Sequence, residues 1–345
     1  MKKINETLKK LCSLMTVSGF EKQAKEELFK LAEPIFDEAY SDSFGNFVFV
    51  KKSGIVGAPK MMVDAHFDRI GMMVTGIKEG GFLSVINIGG IDTRLLPSSE
   101  VIVYGKEEVY GIISSVPPHL RKSSAANGLP TIEELYIDTG LPKDKLSEIV
   151  SLGDPVVIRA DYMELLNDNV MSGSLDDKAC VAAAFDMAER AEKDKLKFDI
   201  YVTVSAQEET GKCGAALSAY SIKPDIAIIT DVTFGTMEGD KEFVSVDCGK
   251  GPSVDLSALA NRNLSRNIVK LLKDSDIPHT VSACPSRTGT NNDMISVSGE
   301  GVKTALVSLP LKSMHTQNEI VNLKDIRSLA DALLLVAYTD KEALV

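Results

Sequence analysis

The chain carries two kinds of hydrophobic pattern, and the change between them divides it into regions. In residues 1–68 and 161–345, helices with apolar positions three and four apart alternate with short, nearly continuous apolar strands. Between them, at 69–160, short strands follow one another, separated by glycine and proline turns. The pattern therefore predicts an α/β fold, a mixed sheet flanked by helices, with a small β-barrel-like domain inserted at 69–160.

The predicted elements follow from these periodicities. In the two outer segments, helices are predicted at 4–15, 21–31, 179–193, 214–220, 261–273 and 323–338, and strands at 36–40, 46–50, 60–65, 200–205, 225–230 and 302–308. In the inserted segment, strands are predicted at 71–75, 82–88, 101–104, 109–114, 135–137 and 155–158, with Pro117-Pro118 among the turns. The second helix is expected to begin with a capping box at Ser18–Glu21.

Charge and composition exclude several classes of function. The chain has 49 Asp and Glu residues against 38 Lys and Arg, a net charge of −11, which repels phosphate backbones and argues against nucleic-acid binding. No apolar run approaches the ~20 residues of a membrane span, and the Met-Lys-Lys start does not lead into a signal peptide. The five scattered cysteines favour a cytoplasmic protein with reduced thiols, so a metal site would use histidines and carboxylates.

Polar side chains follow three of the predicted strands at the point where each strand ends. They are His66, the pair Glu208 and Glu209, and Asp231. In an open α/β sheet, ligands bind at this edge, beyond the carboxyl ends of the strands. Neighbouring residues that leave a strand point in different directions, so one glutamate can bind a metal while the other remains free as a base.

Two further residues can reach the same edge. Asp176 begins a predicted helix and His315 lies in a predicted loop. Each candidate has an ordinary structural explanation when taken alone, as a core histidine, a helix cap, a turn cap or a surface residue. Their joint placement instead favours a site for one or two divalent ions such as zinc, cobalt or manganese.

Five motifs occur in order along the chain. They are His66-x-Asp68, Asp176-Asp177-Lys178, Gln207-Glu208-Glu209-x-Gly211, Asp231-Val232-Thr233 and Met314-His315-x-x-x-Glu319. This order resembles the dinuclear metallo-aminopeptidases of the glutamyl aminopeptidase and tetrahedral (TET) aminopeptidase type. The resemblance spans essentially the whole chain and implies a zinc-exopeptidase-like fold whose peptidase domain is interrupted by a smaller barrel.

The resemblance also implies a set of metal ligands. Asp176 would bridge two divalent ions, zinc first with cobalt or manganese as alternatives. Glu209 and His315 would complete the protein ligands of one ion, and His66 and Asp231 those of the other.

The catalytic roles are implied in the same way. Glu208 would be the general base, and Asp68 would orient the His66 imidazole. The substrates would be peptides with a free N-terminus, whose first residue is removed. A related deacylase or dipeptidase with the same ligands, a glycosidase, and a non-catalytic assembly protein remain as alternatives.

Three further expectations concern specificity and assembly. Arg69 stands where the family has an acidic residue and is expected to point away from the metals, and Cys180 replaces a glycine with consequences for packing alone. A basic rim formed by Arg69 and Lys312 would favour acidic N-terminal residues. By resemblance, the inserted domain would form dimers, and six dimers would form a tetrahedral dodecamer.

Overall fold

The computed structural model describes residues 1–114, 116, 120, 130–239 and 245–345, so the predicted Pro117-Pro118 turn lies outside the described residues. The described strands are β1 Glu38–Ser41, β2 Phe47–Lys51, β3 Lys60–His66, β4 Gly71–Ile77, β5 Phe82–Ile88, β6 Glu100–Tyr104, β7 Glu108–Ser114, β8 Tyr136–Asp138, β9 Pro155–Ile158, β10 Met163–Glu164, β11 Asn169–Ser172, β12 Asp199–Ser205, β13 Ile226–Phe234, β14 Ser253–Ser257, β15 Thr280–Cys284, β16 Thr304–Leu311 and β17 Glu319–Asn322. The described α-helices are α1 Lys2–Cys12, α2 Lys25–Ala32, α3 Lys143–Ile149, α4 Leu175–Arg190, α5 Cys213–Ile222, α6 Arg262–Asp274, α7 Asn292–Ile295, α8 Leu323–Ala337 and α9 Lys341–Leu344.

One mixed sheet of eight strands forms the larger part of the molecule, in the order β1-β2-β12-β3-β13-β16-β14-β15. Its central strands β12, β3, β13 and β16 are parallel. They are buried along most of their length, as parallel strands covered on both faces are. Because they run in one direction, their carboxyl ends meet at one edge, where Ser205 is paired with His66 and Asp231 with Ser308.

Helices cover both faces of this sheet. Helix α4 packs against β3 and β13 and lies between α1 and α8, while α5 packs against β12 and β3 on the opposite face. Successive residues of a strand point to opposite faces, so Ile228 of β13 belongs to the α4 core and Ile229 to the α5 core. Asp231 has the same parity as Ile229 and therefore faces the α5 side.

The inserted segment forms a closed barrel with its own hydrophobic core. Six strands pair in the order β4-β5-β8-β7-β6-β9, around buried side chains that include Val74, Leu83 and Ile137. The predicted α/β class with an inserted barrel is thus confirmed. Helix α3, seven residues long, was not predicted, because so short a run shows little helical periodicity. The exact boundaries of the insertion, 69 and 160, stay predictions.

Two local predictions were wrong. Strand β13 does not end before Asp231 but continues to Phe234, because its main-chain ladder with β16 persists through these four residues. The capping box at Ser18 does not form. The Ser18 hydroxyl contacts Thr210 Oγ1 at 2.9 Å, and the buried Glu21 carboxylate accepts hydrogen bonds from the main chain of Gly19 and Gln207.

Several short strands were also missed from the sequence, namely β10, β11, β14, β15 and β17. Each has two to five residues, too few for a period of two to stand out from the surrounding turns. Among the described helices, none combines the length and the apolar character that crossing a membrane requires.

Candidate metal centre

The side chains predicted from the sequence converge at the carboxyl edge of the central strands. His66 and Asp68 come from the end of β3, Glu208 and Glu209 from the segment after β12, Asp231 from β13, Asp176 from the start of α4, and His315 from the loop between β16 and β17. Within the described part of the chain, donor atoms of five of these residues form two groups, and within each group all the atoms lie within 4.8 Å of one another. The two groups share one residue, Asp176.

The first ligand group consists of His66, Asp176 and Asp231, and all three are buried. His66 Nε2 lies 2.9 Å from Asp176 Oδ1 and 3.9 Å from Asp231 Oδ1. The parallel pairing of β3 with β13 places two of these residues on neighbouring strands. An imidazole nitrogen and two carboxylate oxygens that face one point form a suitable donor set for a zinc-like ion.

The second ligand group consists of Asp176, Glu209 and His315. His315 Nε2 lies 3.3 Å from Asp176 Oδ2 and 3.4 Å from Glu209 Oε2. The Asp176 carboxylate thus directs Oδ1 toward the first ligand group and Oδ2 toward the second. This is the arrangement of a carboxylate that can bridge two ions.

The electrostatics of the two groups fit cations. Burial raises the pKa of Asp231 well above its ordinary value and raises the pKa of Glu209 to about 8, with the nearby Asp176 charge adding to the second effect. The hydrogen bond to Asp176 raises the pKa of His315 to about 9, so this imidazole must release a proton when it binds a metal. A divalent ion would neutralise carboxylates that are otherwise costly to bury.

Asp68 lies beside His66 as predicted, but its side chain has a further role. His66 Nδ1 lies 3.0 Å from the main-chain carbonyl oxygen of Asp68 and 3.6 Å from its carboxylate. The carboxylate instead accepts hydrogen bonds from the main-chain N–H groups of Glu208 and Glu209, at 2.9 and 3.0 Å. Asp68 therefore fixes the backbone of the segment that carries both glutamates.

Glu319 supports the other side of the site and was not assigned a role from the sequence. Its buried carboxylate accepts hydrogen bonds from His315 N at 3.0 Å and from Asp176 N at 3.2 Å. Glu319 thus holds the loop that carries His315 next to the start of α4, which carries Asp176. The spacing His315-x-x-x-Glu319 was visible in the sequence, but the contact with Asp176 was not.

Arg69 does not form part of a basic rim, because its side chain is buried. Its Nη2 atom lies against Gly173, where an added Cβ would be 3.0 Å away. Burial lowers the pKa of Arg69, and the negative charge of Glu319 opposes this effect. The expectation that Arg69 and Lys312 flank the site with exposed positive charge is therefore wrong for Arg69.

Glu208 lies outside both ligand groups found in the described residues. Its Oε1 is 3.2 Å from Lys212 Nζ, and burial raises the pKa of the carboxyl above its ordinary value. A carboxylate with increased basicity beside two ligand groups, but not in them, has the properties of a general base.

Known proteins share both the sequence and the fold. The model of the M42 glutamyl aminopeptidase family matches residues 45–331. This chain belongs to that family. The lysyl aminopeptidase of Pyrococcus furiosus is 32% identical over 337 residues, covering 95% of this chain and 96% of that protein. An aminopeptidase from the archaeon Desulfurococcus kamchatkensis has a TM-score of 0.91 at 29% identity, covering 99% and 97% of the two chains.

A third similar protein is known to form large assemblies. The Pyrococcus horikoshii TET1 peptidase, which can assemble into a tetrahedron or a large octahedral shell, has a TM-score of 0.84 at 27% identity, covering 97% of this chain and 99% of that one. The resemblance drawn from the motifs is confirmed, and the chain is a metal-dependent aminopeptidase.

We expect the Glu319→Gln variant to bind metal about 10- to 100-fold more weakly than the native protein. An amide has one oxygen, whereas the carboxylate accepts from the main chain of both Asp176 and His315. Metal content should be measured after dialysis against graded chelator concentrations, with circular dichroism as a check on folding.

The matched control for this variant is Asp325→Asn. Asp325 is also a buried carboxylate that accepts two main-chain N–H groups, from Gly249 and Gly251, but it contacts no member of either ligand group in the described structure. Equal metal retention in the two variants would show that Glu319 does not support the ligands.

Proposed function

We propose that this aminopeptidase works with two divalent ions, one bound by each ligand group, with Asp176 shared between them. The observation that carries the proposal is the orientation of the Asp176 carboxylate, whose two oxygens lie 2.9 Å from His66 Nε2 and 3.3 Å from His315 Nε2. We propose zinc as the ion, because the donors are imidazoles and carboxylates without a thiolate. Cobalt and manganese suit the same donors.

In this proposal, one set of side chains binds the metal ions and a separate residue, Glu208, acts as the base. Two bound divalent ions would lower the pKa of a water molecule and polarise the scissile carbonyl. Glu208 removes the proton from the attacking water and delivers it to the departing amine. Asp68 holds the Glu208 main chain, so the carboxylate stays directed toward the site while Glu209 serves as a ligand.

The substrate is a peptide with a free N-terminus. Its neutral terminal amine would bind one of the two ions, which limits cleavage to the first peptide bond. A deacylase or dipeptidase with the same ligands is the alternative. A glycosidase is disfavoured, because a retaining enzyme requires two carboxyls that act on opposite sides of the sugar. Here Glu209 belongs to a ligand group and Glu208 is paired with Lys212.

We expect Glu208→Gln to retain its metals and to lose about 10²–10⁴-fold in kcat, because the amide cannot accept the proton. The matched variant is Glu209→Gln, which changes the neighbouring glutamate and should lose metal from the second ligand group. Metal analysis and peptide hydrolysis, measured on both proteins, separate the two roles. Near-normal turnover by Glu208→Gln would reject its assignment as the base.

We expect aminoacyl anilides to be hydrolysed and N-acylated amino acids to remain intact. Removal of metal with a chelator should abolish the activity, and zinc, cobalt or manganese should restore it. Faster hydrolysis of the N-acylated substrates would favour the deacylase. Hydrolysis of a β-glucan that survives chelation would favour the glycosidase.

We propose that the protein is cytoplasmic and forms homo-oligomers, with dimers made through the barrel. All five cysteines are free thiols, as expected in a reducing compartment. The outer surface of the neighbouring strands β5, β8 and β7 exposes Ile86, Tyr136, Tyr110 and Ile112, with 36–59% of each residue accessible. An apolar surface of this kind marks an interaction site. A tetrahedral dodecamer is the complete assembly that we propose, because the Pyrococcus horikoshii relative can assemble into a tetrahedron.

We expect the native protein to elute as a dodecamer, and Ile112→Glu to elute as smaller species, because a buried charge disfavours an apolar interface. Size-exclusion chromatography with light scattering measures both. Tyr220→Glu, on the exposed surface of α5, is the control and should leave the mass unchanged. A monomeric native protein would contradict the proposed assembly.

A further inference from the structure

Two cavities open beside the proposed metal centre. The first, of 720 Å³, is lined by residues that include Glu208, Glu209 and Lys212. The second, of 810 Å³, begins next to Asp231, at Val232. A peptide bound across the metal centre would place one part of its chain near each cavity.

The proposed mechanism decides which cavity receives which part of the substrate, and the inference rests on that proposed function. Glu208 delivers a proton to the departing amine, so the leaving part of the peptide must lie within hydrogen-bonding reach of Glu208. The cavity lined by Glu208 is therefore on the leaving side. The side chain of the N-terminal residue then enters the cavity beyond Asp231, which we call the N-terminal cavity.

The floor of the N-terminal cavity is the sheet itself. Asp231 of β13 is in register with Ser308 of β16, and β16 pairs with β14 through Ser253↔Ser308 and Asp255↔Leu306. Alternation along the strands places Asp231, Ser308 and Asp255 on one face. Two strand spacings, about 10 Å in total, separate the strand of Asp231 from the strand of Asp255. Asp255 is therefore the member of this row that lies farthest from the proposed metal centre.

Asp255 is a buried carboxylate at the far end of this row. It is 7% exposed and lines the N-terminal cavity. Ser308 Oγ donates a hydrogen bond to its Oδ2 at 2.6 Å, and the Ser282 hydroxyl donates to its Oδ1. No Lys, Arg or His of the described residues lies within 4.0 Å of it as an ion-pair partner. Since a carboxylate can accept about four hydrogen bonds, it retains capacity for a donor that enters the cavity.

The remaining charges around the N-terminal cavity do not compensate Asp255. Asp247 and Lys250 also line it, but both are exposed and of opposite sign. Of the charged residues that line the cavity within the described part of the chain, Asp255 is the one that is buried. Burial raises the pKa of Asp255 to about 6, which reflects the cost of a desolvated charge without a cation.

We propose that Asp255 makes the N-terminal cavity selective for a basic first residue, Lys or Arg. The ammonium or guanidinium group of the substrate would bind the carboxylate at the end of the cavity, while the apolar part of its side chain crosses the sheet surface near Leu306. This preference is the opposite of the one that a basic rim would produce.

The test compares Lys and norleucine anilides, whose side chains are similar in length and differ in charge, on the metal-loaded native protein and on Asp255→Asn. We expect kcat/KM to favour Lys in the native protein, and Asp255→Asn to lower the value for Lys by about 10- to 100-fold, because a charge-assisted hydrogen bond is lost. The value for norleucine should change less than about threefold, since it makes no such contact. Asp247→Asn, at the exposed mouth of the same cavity, is the matched control and should leave the Lys-to-norleucine ratio nearly unchanged.

The outcomes separate this inference from the proposed function. If the native protein hydrolyses norleucine and Lys anilides equally, or if it prefers Glu, the inference is wrong while the aminopeptidase mechanism stands. An unchanged ratio in Asp255→Asn, with normal circular dichroism, also rejects it. If no anilide is hydrolysed and N-acylated amino acids are, the proposed function itself fails. The native substrate panel decides the question even where the Asp255 variant does not fold.

Discussion

The site depends on one buried carboxylate that belongs to two ligand groups. Asp176 contacts His66 through one oxygen and His315 through the other, so its orientation fixes the relation between the groups. Its backbone is held in turn by Glu319, which also holds the backbone of His315. A shift of Asp176 would therefore disturb both ligand groups at once. The geometry of the whole site thus depends on the position of the start of α4.

The chain uses buried carboxylates repeatedly to fix irregular backbone around the site. Asp68 accepts from two consecutive residues, Glu319 from two separate segments, and Glu21 from Gly19 and Gln207. Each carboxylate satisfies two main-chain donors, which lie in loops or, for Asp176, at the start of α4, and which would be costly to bury without partners. The ligands can thus leave the ends of strands and helices in directions that regular structure does not allow.

The barrel contributes to the site as well as to the proposed assembly. It separates His66 from Asp176 by 110 positions in the sequence, yet the two side chains are 2.9 Å apart. The loop after β5 returns to the ligands, since an added Cβ on Gly90 would lie 3.3 Å from His315 Nδ1. A larger residue at this position would press on a proposed ligand, which accounts for the glycine here. The insertion therefore limits the space around the second ligand group.

The sequence determined the fold class and the positions of the proposed ligands. Apolar runs that end in polar residues predicted parallel strands. The carboxyl ends of parallel strands meet at one edge of the sheet, whatever the rest of the fold. The sequence could therefore place His66, Asp231 and the two glutamates at the same edge. The assignment of Asp176 and His315 as ligands depended on the order of the five motifs along the chain. Tertiary structure decided the support from Glu319, the burial of Arg69 and the placement of Asp255. These depend on contacts between segments far apart in the chain, for which neither a strand period nor a helix period carries information.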